Sequence, residues 1–112
     1  LYVASGDMSH RLMPGAPVGY DPRGARFDGA VVDAFGVADW DALLRIDPGL
    51  TAAAGECGYR SLAVLAGVVA AAEAAGLGTA NRVLSYEGPF GVGYLVGEVE
   101  VSKATSEQGG AA

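Results

Sequence analysis

The chain is poor in the residues that carry most chemistry: one histidine, one cysteine and one tryptophan in 112 positions. A single cysteine excludes an internal disulfide and fits a reducing compartment. Basic residues are also scarce, 7 against 13 acids for a net charge of -6. That balance argues against nucleic acid and against an anionic membrane surface as partners. No long hydrophobic run is present. The longest, LAVLAGVVAAA at residues 62–72, is closed by Glu73, well short of the roughly 20 residues needed to span a bilayer. The first residues lack the basic stretch and apolar core of a secretory signal. Together these absences predict a cytoplasmic protein. Leu1 is not a start methionine, and the chain opens inside an apparent strand, as a piece of something longer would.

Several familiar motifs are missing as well. There is no GxGxxG followed by an acid, no GxxxxGK[ST] phosphate loop, and no CxxC, HExxH or GxSxG. The glycines of GPFGVGYLVG lie in strand-like surroundings with no helix after them, which argues against phosphate cradling.

What is present reads as one globular domain, or part of one. Hydrophobic residues reach 51% and charged residues only 18%, enough apolar surface for a core. LYVAS at the start reads as a short buried strand. Residues 7–23 carry two glycines and three prolines, which excludes regular structure, and a loop of that length in a small domain is usually functional. A helix is predicted over about residues 25–37, where Phe27, Val31, Ala34 and Phe35 share one face. A second, shorter helix is predicted over about 39–46, with Asp39 as N-cap and the DPG of residues 47–49 as its end. A third, over about 58–75, is apolar almost all round and is expected to lie centrally buried, with Gly76 as its stop. RVLSYEG and VGYLVGEVEV read as two strands with GPFG between them, and the TSEQGGAA end as a flexible tail. The order strand, three helices, two strands predicts the α/β class: a mixed sheet packed by helices, part of a larger three-layer domain.

Few side chains can carry chemistry. His10, in SGDMSH, sits where a strand opens onto a loop, and imidazole suits acid–base work near neutral pH. Asp7, three residues earlier, could orient the ring or keep it charged; the plain alternative is a loop histidine with no chemistry. Glu56 and Cys57 stand just before the apolar helix. The carboxylate is a hard oxygen ligand suited to Fe(II) or Mn(II), whereas the thiolate suits softer metals. Their alternatives are a capping carboxylate and a small buried hydrophobe. Arg60 could grip a substrate carboxylate or phenolate, or pair with Glu56 at i, i+4, the reading favoured here. Tyr20, Asp21 and Arg23 in GYDPRG could shape a pocket wall; turn contacts, with Asx-type bonding at Asp21, are the simpler expectation.

Four segments together are more specific than any one: ASGDMSHRL, GYDPRGARFD, AGECGYRSLAVLAG and SYEGPFGVGYLV. In this order the chain resembles the C-terminal half of class III extradiol ring-cleavage dioxygenase B-subunit proteins, a superfamily that includes the Memo-like proteins. The resemblance covers about residues 1–101, leaving 102–112 as the tail. It implies that His10 is an acid–base histidine beside an iron, with Glu56 the carboxylate of a two-histidine, one-carboxylate Fe(II) site and Cys57 its rival. Tyr20 and Arg60 would then face a small aromatic substrate of catechol or aminophenol type. The family's two ligand histidines come from the N-terminal half, so the resemblance implies a partner half in the same or another chain. It also implies no metal and no ring cleavage from these 112 residues alone. The Memo-like relatives suggest a second possibility, a noncatalytic metal-binding or protein-interaction domain. An open half-sheet would encourage homo-oligomers.

Overall fold

The structure, a computed structural model, describes residues 1–103. Four helices come first: α1 (Arg23–Gly36), α2 (Trp40–Leu44), α3 (Pro48–Ala54) and α4 (Tyr59–Ala74). A hairpin of β1 (Gly78–Glu87) and β2 (Tyr94–Ser102) follows, closed by a 3-10 turn over Pro89–Gly91. The α/β class with helices packed against a sheet is as expected. Among the described residues that sheet is a two-stranded antiparallel ribbon, in register from Gly78 opposite Ser102 to Glu87 opposite Tyr94, with a bulge between Val83 and Ser85. Most of the expected tail lies outside the described residues.

The core sits where α1 meets the shorter helices and the hairpin. Phe27, Val31, Ala34 and Phe35 are all buried on one face of α1, as their spacing predicts. They meet Met8, Leu43, Ala54 and Leu62, with Val83, Leu95 and Val99 of the hairpin packed against the cluster. Two edge-to-face ring pairs stiffen it, Phe27 with Tyr59 at 6.0 Å and Phe35 with Trp40 at 5.8 Å. An isolated hairpin is marginal in water, so this inner face of the ribbon is what holds it.

Three expectations need correction. Residues 1–5 form no strand. A β-prone run becomes a strand only with a ladder partner, and here the segment is tied to α4 instead: Tyr2 Oη donates to the Ser61 carbonyl at 3.1 Å, and Ser61 Oγ donates to the Ser5 carbonyl at 2.9 Å. The DPG of residues 47–49 does not merely end a helix; it starts α3. Asp47 accepts from Gly49 N at 3.0 Å as N-cap, and Pro48 takes the first helical position, where its missing N–H costs nothing. α4 is not buried all round. Leu62, Ala66 and Val69 face inward while Val64 and Val68 are exposed, because only one side of the helix meets the rest of the chain.

Candidate functional site

The strip from Asp7 to Leu12 is irregular yet pinned on both flanks. On one side the Met8 N–H donates to the Gly93 carbonyl at 2.9 Å, Gly93 N–H returns a bond to Ser9 at 2.8 Å, and Leu12 N–H donates to Gly91 at 3.0 Å. On the other, the α3–α4 junction closes in. Cys57 N–H donates to the Asp7 carbonyl at 3.1 Å, and Asp7 N–H donates to Cys57 Sγ at 3.1 Å. α3 ends at Gly55 in the left-handed conformation (φ 60, ψ 48), which turns the Gly55 carbonyl toward the strip. Residues about fifty positions apart in the chain are thereby neighbours.

His10 lies at the centre. Its Nδ1 is 2.5 Å from the Gly55 carbonyl oxygen and its Nε2 is 3.0 Å from Asp7 Oδ2. Both partners are oxygen acceptors, an arrangement that the doubly protonated imidazolium satisfies in full and a neutral tautomer only in part. Partial burial works against that charge. The hydrogen bonds to Gly55 and Asp7, with the nearby Asp7 and Glu56 carboxylates, outweigh it and raise the His10 pKa above its ordinary value.

The sequence-derived candidates are brought together unevenly. Asp7, His10 and Cys57 each offer one donor atom, all within 4.8 Å of one another. Glu56 is close enough to act on His10 electrostatically, but its carboxylate is engaged by the Tyr59 N–H at 2.7 Å, capping α4. Cys57 is exposed rather than buried. Arg60 is exposed and makes no ion pair with Glu56; Glu56 precedes α4, so helical i, i+4 geometry does not apply. Tyr20 is also exposed. Asp21 does make its Asx-type turn, accepting from Arg23 N at 2.9 Å, and the Arg23 guanidinium holds its carboxyl down to about 2. A cleft of about 480 Å³, walled by Tyr2, Met8, Phe35, Leu62, Leu95 and Val99 among others, includes neither His10 nor Glu56.

Sequence reasoning missed Asp28, Ser9, Tyr86 and the Gly55 carbonyl. Asp28 was findable: it stands at i-3 from Val31 and i-7 from Phe35, a carboxylate on the apolar face of α1. It is fully buried, accepting from Ser9 N at 2.8 Å and from the Tyr86 hydroxyl. Burial raises its pKa against the pull of those two donors, and burial together with Asp28 raises that of Tyr86.

Helices packed on a β-ribbon, with the donor atoms of His10, Asp7 and Cys57 gathered at a pinned loop, define an α/β domain. The chain belongs to the family described as the catalytic LigB subunit of aromatic ring-opening dioxygenase, whose model matches residues 1–97. It is also similar to Protein CA_C1420 of Clostridium acetobutylicum, 41% identical over 100 residues. That match covers 89% of this chain and 20% of the relative, so the chain spans about a fifth of that protein's length. No solved structure matches it. Among the described residues no helix is long and apolar enough to cross a membrane.

Proposed function

We propose that this chain is the C-terminal, acid–base part of an extradiol ring-cleaving dioxygenase that opens a catechol- or aminophenol-type ring with O2. The observation that carries the reading is the His10 ring, held between Asp7 and Gly55 with its donor atom within 4.8 Å of Cys57 Sγ. The residues present do not fit a complete Fe(II) site. A two-histidine, one-carboxylate triad needs two imidazoles; the chain has one, and both of its nitrogens already face oxygen acceptors. Two further histidines, from another part of the protein or another chain, complete the site in this reading.

The imidazolium of His10 holds a proton at each nitrogen, and Asp7 fixes the ring orientation and stabilises the charge. In its charged form the ring can give a proton to an oxygen that displaces Asp7 or Gly55; in its neutral form it can take one from a ring hydroxyl. In the completed site Glu56, whose carboxylate here caps α4 through the Tyr59 N–H, would be the carboxylate donor, with Cys57 the rival donor. Tyr20 and Arg60, both exposed, are assigned to the aromatic substrate by the family resemblance alone.

Turnover of catechol-type substrates by the complete protein, loaded with Fe(II) under anaerobic conditions, tests this. His10→Gln should depress turnover more than iron content, and Glu56→Ala should depress iron content first. The reverse pattern rejects both assignments.

A second reading is supported by the position of Cys57 Sγ beside His10 and Asp7. A thiolate, an imidazole and a carboxylate suit copper or zinc better than they suit ring-cleaving iron. Stoichiometric zinc or copper binding that is lost in Cys57→Ser, with no ring cleavage by the complete protein, would favour a noncatalytic metal-binding domain.

A further inference from the structure

Three separate parts of the fold converge on Ser9, the residue before the only histidine. Ser9 is fully buried and uses every polar group it has. Its N–H donates to Asp28 Oδ1 on α1 at 2.8 Å, and its Oγ donates to the Ala54 carbonyl at the end of α3 at 2.8 Å. The same Oγ accepts from Arg11 N at 2.9 Å, and its carbonyl accepts from Gly93 N, just before β2. Asp28 in turn carries the hydroxyl of Tyr86 from β1 on its other oxygen. We propose that Asp28 is a positioning residue for His10, its buried carboxylate clamping the Ser9 N–H so that the next side chain is aimed at Asp7 and Gly55.

The surroundings fit a clamp. A bare carboxylate on the apolar face of α1 would be strongly unfavourable, and two donors satisfy it. Gly93 packs directly over the carboxylate: a Cβ there would collide with Asp28 Oδ2 and lie 3.0 Å from both Met8 Cβ and the Tyr86 oxygen. Glycine at that position leaves the room that the buried carboxyl group needs. The assignment rests on the reading of His10 as the proton-handling group of this site.

Ring dynamics in the full 112-residue chain test it, because its one histidine gives one unambiguous imidazole signal. The measurement is the His10 ring order parameter from 13C relaxation, with the α4 amides as the control for folding. Asp28→Ala should lower the ring value from above about 0.8 to below about 0.6 while the α4 amides stay rigid. Asp28→Asn, which keeps an acceptor for the Ser9 N–H, should restore it. Where Asp28→Ala fails to fold, the apolar pair Asp28→Leu with Tyr86→Phe fills the volume, removes the same acceptor and decides the matter. A ring that stays rigid without the acceptor, or that loosens equally in Asp28→Asn, overturns the proposal. The readout needs neither substrate nor metal, so its failure would leave the ring-cleavage reading standing, and absent turnover would leave this assignment standing.

Discussion

Nε2 of His10 lies 3.0 Å from Oδ2 of Asp7, three residues earlier. The contact is partly buried and carries a pH signature. The folded pKa of His10 is raised above the ordinary 6.5, so the charged ring's contribution to stability is complete below that value. It is lost as pH rises through the folded pKa. Urea unfolding from about pH 5 to about pH 9 should show a decline in the parent chain that is absent in His10→Gln and shallower in Asp7→Asn. Its size should stay under ~1 kcal/mol, since the Asp7 side chain is 40% exposed and solvent screens the pair.

Glu56 has a structural task that can be separated from any metal. Its carboxylate receives the first free N–H of α4 at 2.7 Å. Glu56→Ala should cost about 1 kcal/mol in chemical denaturation without metal, and Glu56→Gln markedly less, because the amide oxygen still accepts.

Leu43 is the best test of the core. It is fully buried in the five-residue helix α2, and its carbonyl takes the Tyr59 hydroxyl at 2.7 Å. Leu43→Ala should lower stability by about 2–5 kcal/mol, read from the denaturation midpoint at unchanged slope.

Gly93→Ala should be unexpectedly severe for one added methyl. The new carbon would meet Asp28 Oδ2 and Met8 Cβ, and the strip could yield only by breaking the paired bonds between residues 8–9 and 93. A loss of about 1–3 kcal/mol is expected, together with a displaced Ser9 amide resonance. An unchanged resonance would contradict the packing described.

How much of this was legible beforehand depends on the range of the interaction. The face of α1 was readable because period and burial agree over Phe27, Val31, Ala34 and Phe35. The caps at Asp39 and the turn at Asp21 were readable because they close within a few residues. α3 was missed because Asp47-Pro48 signals both a break and a start, and only the chain beyond it decides. The strand expected at residues 1–5 failed for a related reason: its local preference is real, but the ladder partner is a tertiary matter. At the site, the pairing of His10 with Glu56 and Cys57 was an implication of the family resemblance and could not come from spacing, and the Gly55 carbonyl came from neither. Asp28 carried a local warning, a charge among apolar neighbours, but its partners Ser9 and Tyr86 lie 19 and 58 positions away.

Because the strip carrying His10 is fastened on one flank to residues 54–57 and on the other to residues 91–93, it works like a seam between the helical part of the chain and the hairpin. Anything that wedges the two apart must unpick one side of that seam. Opening the helical side would release the imidazole from Gly55 and leave Asp7 as its remaining anchor, so a mechanical disturbance would be felt at the ring as a change in how many protons it can keep.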